Sequence, residues 1–161
     1  MSGDYLFRQA AESDLNLLVN WTLDLMVHEA LDNDLEIPLK SDIKTRIEQW
    51  IKSLLKSDNA LYIIADDAVG MPCGCILGLM QLAPNDFTEF TIQGLIQMVW
   101  VDESQRRNKL ADQLVTQMED TFKNLDIPYC EISFSVSNRE AEGFWQAKGY
   151  QPVSHTCRKI L

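Results

Sequence analysis

Val99-Trp100-Val101-Asp102-Glu103-Ser104-Gln105-Arg106-Arg107-Asn108-Lys109-Leu110-Ala111 joins an apolar strand to an amphipathic helix through a basic turn. The first backbone N–H groups of the helix that starts at Leu110 have no internal acceptors, and the helix dipole adds positive potential at that end. Arg106, Arg107 and Lys109 bring three cations to the same place. A compact anion such as a diphosphate satisfies a turn of this kind.

Working outward from the turn, Phe90 to Val101 reads as a long strand, and Leu110 to Leu125 as a helix with Leu114, Met118 and Phe122 on one face. Upstream, Ala60 to Ala65 and Cys73 to Leu82 read as two strands of a hairpin, with Asp66 to Pro72 and Gly70 as its turn. Two helices precede them. Ser13-Asp14 starts one that carries Leu15, Leu18, Trp21, Leu25 and Met26, and Ser41-Asp42 starts another that carries Ile43, Ile47, Trp50, Ile51 and Leu54. Tyr5 to Ala10 is a short opening strand, and the acidic run from His28 to Leu39, with a breaker at Pro38, is expected to be a connection or a short irregular helix.

Downstream, Tyr129 to Val136 is strand-like, Arg139 to Lys148 is helical with Gly149 as its stop, and a last strand is expected from Pro152 onward. The order β-α-α-β-β-β-α-β-α-β, without repeat or linker, predicts an α/β fold with a mixed sheet in a single domain spanning residues 1–161.

Composition narrows the function. The balance of 14 Lys and Arg against 24 Asp and Glu gives a net charge of -10, which repels phosphate backbones, so nucleic acid is not an expected partner. The basic turn stands out against that background and suits a small anionic ligand. No apolar stretch approaches the 18 or so residues of a membrane span, and Met1-Ser2-Gly3-Asp4 begins no secretory signal, so a cytoplasmic protein without membrane contact is expected. Cys73, Cys75, Cys130 and Cys157 include one C-x-C pair and no C-x-x-C, and neither histidine lies near it. No metal site is expected, and buried free thiols are the simplest role for the cysteines.

The segment from Val99 to Ala111 resembles the cofactor-binding motif of the GNAT superfamily of acyl-CoA-dependent N-acetyltransferases, R-x-x-G-x-G/A after a strand. Arg106 and Ala111 fall on matching positions, while Lys109 stands where the family generally has its first glycine. Asn138-Arg139-Glu140-Ala141-Glu142-Gly143-Phe144-Trp145-Gln146-Ala147-Lys148-Gly149-Tyr150 resembles the family's N-x-x-A-x-x-F-Y-x-x-x-G-F segment, with Asn138, Ala141, Phe144, Gly149 and Tyr150 coinciding. Phe7-Arg8-Gln9-Ala10, followed by Asp14-Leu15, is similar to the family's opening strand and helix.

The resemblance implies acetyl-CoA as co-substrate and a primary amine as acceptor: a small amine, a polyamine or a protein amine. It implies that the backbone of Arg106, Arg107, Asn108, Lys109, Leu110 and Ala111 cradles the pyrophosphate. It also implies that the backbone at Val99 and Val101 meets the pantetheine arm like an added strand, with Asn138, Phe144 and Trp145 flanking the cofactor. A monomer or a homodimer is compatible with it.

Acetyl transfer needs a neutral amine, a polarised thioester carbonyl and a proton for the departing thiolate. Many family members use the tyrosine of the F-Y pair as proton donor; here the position is Trp145, whose indole N–H donates a hydrogen bond and does not give up its proton. A thiolate of pKa about 8.5 leaves without much help, and water or Ser137 can assist. In the predicted strand from Tyr129, alternation puts Glu131, Ser133, Ser135 and Ser137 on one face. Such a polar stripe marks either a wet cleft or an exposed sheet face, and Glu131 is the candidate general base.

Glu29, Asp32, Asp34 and Glu36 either attract a cationic amine or form a solvated loop. His28 and His155 read as a helix-end residue and a structural or exposed one. The departures at Lys109 and Trp145 keep a second reading open, a non-catalytic module that binds acyl-CoA or a protein partner on the same fold.

Overall fold

Near-continuous apolar residues in 60–66 and 72–82 build the centre of the molecule as a hairpin, β2 (Ala60–Asp66) and β3 (Pro72–Leu82). Gly70, at φ +80°, turns the chain between them, and Asp67 Oδ1 accepts the amides of Val69 and Met71 at 3.0 and 2.9 Å. In this computed structural model residues 4–30 and 37–161 are described. The remaining elements are β1 (Leu6–Gln9), α1 (Leu15–Ala30), α2 (Ile43–Leu55), β4 (Ile92–Val101), α3 (Leu110–Asn124), β5 (Cys130–Ile132) and α4 (Arg139–Ala147).

The sheet runs β1-β2-β3-β4-β5, antiparallel throughout except for the parallel pair β4 and β5. Its two faces carry two cores. Leu18, Ile47 and Ile51 of α1 and α2 pack on Tyr62, Ile64, Cys75, Leu77 and Met98, while Leu110, Leu114, Met118 and Phe122 of α3 pack on Ile76 and Ile96. Removing such side chains from water contributes about 1.5–3 kcal/mol each, and this fixes which helix covers which face.

Ile96 and Met98 are two residues apart and should share a face, yet they lie in opposite cores. The register explains it: Leu77 pairs with Met98 and Gly78 with Ile96, so Gln97 is an extra residue, a β-bulge. The bulge also ends the sheet locally. β4 and β5 pair only through Gly94–Cys130, Leu95–Glu131 and Ile96–Ile132, and beyond that rung they are not joined.

Arg8 ties the opening strand to its neighbours. Its guanidinium donates to Asp14 at 2.8 and 3.0 Å and to Asp66 at 2.7 Å, and Asp14 also accepts the Ala11 amide at 2.8 Å. Asp14 thus closes a short 3-10 turn, Glu12–Asp14, rather than capping α1 directly as Ser13-Asp14 was expected to do.

Three further boundaries differ from the sequence expectation. The strand expected from Tyr129 to Val136 stops at Ile132, because the bulge in β4 removes its only partner. Helix α1 runs on through His28 and Glu29 to Ala30, so the start of the expected connection is helical; Asp32, Asp34 and Glu36 lie outside the described residues. The strand expected from Pro152 onward is not formed: residues 151–161 are exposed and pair with no strand among the described residues, and strand-type residues without a ladder partner do not make a strand.

Candidate functional site

The site grows from the split between β4 and β5. Where the ladder stops, the edge of β4 from Gln97 to Val101 leads directly into the basic turn, and a cavity of about 550 Å³ follows it. Its walls include Val99, Val101 and Trp100 of β4, Ser133 and Phe134 after β5, and Phe144 and Trp145 of α4.

The turn at its mouth is held by local bonds. Asp102 Oδ1 accepts the backbone amide of Ser104 at 2.9 Å and its hydroxyl at 2.7 Å, closing a 3-10 turn at Glu103–Gln105. The bonds from Ser104 keep the Asp102 carboxyl below its usual range. Arg106 donates from Nε to the Val101 carbonyl at 3.3 Å, and its guanidinium lies 5.6 Å from the centre of the Trp100 ring, so the cation is parked over the end of β4.

Helix α3 begins at once. Gln113 donates to the Lys109 carbonyl at 3.0 Å, which leaves the amides of Leu110, Ala111 and Asp112 ahead of the first helical bond. Lys109 itself is left-handed at φ +61°, as is Arg107 at +65°. That conformation explains why a glycine suits the position, and a side chain there costs about 1 kcal/mol or more.

On the opposite wall, Asn138 Oδ1 accepts the Ala141 amide at 3.0 Å and so caps α4. Trp145 is buried, edge-on to both Phe144 and Tyr150 with ring centres 5.0 Å apart. Tyr150 is turned away toward α3, its hydroxyl donating to Glu119 at 2.9 Å and meeting Cys130 Sγ at 3.1 Å. Burial raises the pKa of that phenol. No tyrosine lines the cavity among the described residues.

Of the residues singled out from sequence, Val99, Val101, Arg106, Arg107, Lys109, Leu110, Ala111, Asn138, Phe144 and Trp145 come together around this cavity. Asn108, Glu131 and Ser137 do not line it. Glu131 lies on β5 opposite Leu95, before the split, and the Ser137 hydroxyl is 2.9 Å from that of Ser135 in the loop ahead of α4. The polar stripe that pointed to Glu131 and Ser137 requires a strand to Ser137, and the strand ends at Ile132.

Two residues at the other end of the cavity were not in the sequence-derived set. His28 and Glu29, in the last turn of α1, line it together with Leu25. Glu29 is half-buried, and burial raises its carboxyl pKa while the neighbouring His28 lowers it less. The sequence does carry a signal for it: Leu18, Leu25 and Glu29 follow one helical stripe at spacings of seven and four, so a carboxylate continues the core-facing side.

Among the described residues no cluster of His, Cys, Asp and Glu could hold a metal ion, and no helix is long and apolar enough to cross a membrane.

Comparison with known proteins agrees with this fold. Solved structures with the same fold include a predicted acetyltransferase from Clostridium acetobutylicum with acetyl-CoA (TM-score 0.77, 16% identity, covering 98% of this chain and 96% of that one). An aminoglycoside N-acetyltransferase in complex with CoA superposes with a TM-score of 0.78 at 14% identity, over 100% of this chain and 97% of that one. A GCN5-related N-acetyltransferase from Ralstonia eutropha JMP134 gives 0.79 at 17% identity, over 98% and 99%. No curated protein matches the sequence. The family profile described as Acetyltransferase (GNAT) family matches residues 24–150. With most of its length inside that match and its fold shared with these structures, the chain belongs to the GNAT acetyltransferase family.

Proposed function

We propose that the chain is an N-acetyltransferase that moves the acetyl group of acetyl-CoA onto a cationic primary amine: a small amine, a polyamine or an exposed protein amine. Acetyl transfer is the chemistry of the family, and acetyl-CoA is its co-substrate. The observation that carries the choice of acceptor is that a single cavity runs from the basic turn before α3, past the split in the sheet, to the half-buried carboxylate of Glu29.

In this scheme the amides of Leu110, Ala111 and Asp112, with Arg106, Arg107, Asn108 and Lys109, hold the pyrophosphate. The β4 edge around Val99 and Val101 receives the pantetheine amides, and Asn138, Phe144 and Trp145 border the arm. The amine nitrogen attacks the thioester carbon, the carbon–sulfur bond breaks, and the ammonium proton must reach the thiolate or solvent. Glu29 attracts the cation and accepts its proton. Ser133 and His28, whose residues line the cavity, can relay a proton to sulfur in place of the missing tyrosine. Glu131 and Ser137, the candidates from sequence, would have to act from outside the cavity wall.

The lack of a tyrosine among the described lining residues favours a second reading, an acyl-CoA-binding module without turnover. Calorimetry with acetyl-CoA, then release of free CoA thiol across a panel of polyamines, small primary amines and lysine peptides, separates the two. Binding followed by amine-dependent release is expected. Binding with no release from any amine leaves the second reading, and no binding at all defeats both.

A further inference from the structure

Arg107 and Lys109 are both left-handed, at φ +65° and +61°, and Asn108 sits between them. Neither is a glycine, so each holds a conformation that its Cβ disfavours, and such a turn keeps its shape where other contacts over-determine it. The bonds that close the turn locally lie before this pair: Asp102 holds Ser104, and Arg106 donates to Val101. The strained stretch is also the one assigned to the diphosphate.

A contact from the other end of the strand order reaches it. Tyr5, just ahead of β1, donates from its hydroxyl to Gln105 Oε1 at 2.9 Å, across 100 positions of sequence. Burial raises the pKa of that phenol, and a hydrogen bond from the Asn108 side chain lowers it less. The hydroxyl thus meets both sides of the turn, as donor to Gln105 and acceptor from Asn108. The sheet brings these segments together: Leu6 pairs with Asp66, Asp66 with Pro72, and the Cys73 carbonyl accepts the Asp102 amide at 2.9 Å. Tyr5 also packs against the core under α3, which holds its ring in place. A side chain turned back toward Tyr5 accounts for Asn108 standing outside the cavity lining.

We propose that Tyr5 is a positioning residue for the cofactor: by gripping Gln105 and Asn108 it holds residues 105–109 in the shape that receives the diphosphate. The proposal rests on the reading of that turn as the diphosphate site. Tyr5 does not line the cavity and acts through the turn. Apparent affinity falls in proportion to the fraction of molecules whose turn is already in shape, so a brace outside the site is felt in binding.

Tyr5→Phe keeps the ring and its packing and removes the hydroxyl. Losing two hydrogen bonds to a strained turn should weaken CoA about tenfold by calorimetry, with unchanged circular dichroism. In the free protein the amides of Gln105, Arg106 and Gln113 are bonded to the carbonyls of Asp102, Glu103 and Lys109. They should exchange with solvent at least about threefold faster in the variant, while the amides of β2 and β3 keep their rates. Lys109→Gly removes one strained side chain, so in that background Tyr5→Phe should weaken CoA by no more than about threefold, and comparison within one background cancels the lost cation. A wild-type chain that does not bind CoA overturns the diphosphate reading and the brace with it. Wild-type binding that Tyr5→Phe leaves within about twofold overturns the brace alone. So do turn amides that exchange as in the wild type, or an equal loss of affinity with lysine and with glycine at 109.

Discussion

Ile96 and Ile132 form the last rung between β4 and β5, one residue before the bulge at Gln97. Everything in the cavity follows from that interruption, because a regular ladder would occupy the backbone groups that border it. Deleting Gln97 restores alternation, since Ile96 and Met98 already face opposite cores. The deletion variant should therefore fold, extend the pairing of β4 with β5, and lose affinity for CoA by at least about a hundredfold, roughly 2.7 kcal/mol. Calorimetry alongside thermal melting checks both halves of the prediction.

Lys109 is left-handed and exposed, so its charge and its strain can be separated. Lys109→Gly relieves about 1 kcal/mol and should raise Tm by about 2–4 °C. Lys109→Ala keeps the strain and removes only the cation. If CoA binding weakens with alanine and equally with glycine, the ammonium assists the diphosphate; if glycine tightens it, the side chain crowds the turn.

Asn138 does structural work whatever else it does. Asn138→Ala removes the cap on the Ala141 amide and should cost about 1 kcal/mol in stability. Asn138→Ser keeps a capping oxygen. A loss of CoA affinity in the alanine variant that serine restores assigns the effect to the position of α4, and a loss common to both assigns it to a direct contact by the amide group.

Glu29→Gln should lower the acetylation rate of a polyamine by at least about a hundredfold, the lower end of the range for general-base catalysis, with CoA affinity unchanged. Burial raises the carboxyl of Glu29, so its working ionised form is lost as pH falls through a value above the ordinary one for glutamate. The acid limb of the wild-type pH–rate profile should lie correspondingly high and vanish in the variant. Glu131→Gln, outside the cavity, should leave the profile in place.

Arg8→Ala should destabilise the fold by about 2–3 kcal/mol at neutral pH, below the full range for a buried pair because Arg8 is partly exposed. Hydrogen bonds from Arg8 hold the Asp14 carboxyl below its usual range. Its contribution is therefore present above the unfolded value of about 3.9 and is lost as pH falls through the lower folded value. Urea melts at pH 7 and pH 2 should show the gap between wild type and variant narrowing in acid.

The elements whose apolar period is long and uninterrupted were legible in the sequence. Leu110, Leu114, Met118 and Phe122 mark α3, and Ile43, Ile47 and Ile51 mark α2. The turn from Asp102 to Lys109 was legible too, because helix ends and cations advertise themselves. The bulge was not, since Gln97 is one polar residue in an apolar strand and its consequence depends on the register with β3. For the same reason the strand after Tyr129 looked longer than it is: its residue types suit a strand to Val136, but its partner turns away at Ile96. Glu29 was visible as an acid, and its place on the stripe of Leu18 and Leu25 points into the cavity only because α1 extends to Ala30.

Gly94 lies under the ring of Phe122, where a methyl group would meet Cε2 at 2.6 Å. That absence of a side chain allows α3 to settle close against β4. The height of α3 above the sheet in turn sets how far its first turn stands from the strand edge, the span that a diphosphate and the arm behind it must bridge. An alanine at this distant position would tilt the helix about its packed face and mismatch the two ends of the groove, so the length of ligand the groove accepts is gauged from the back of the molecule.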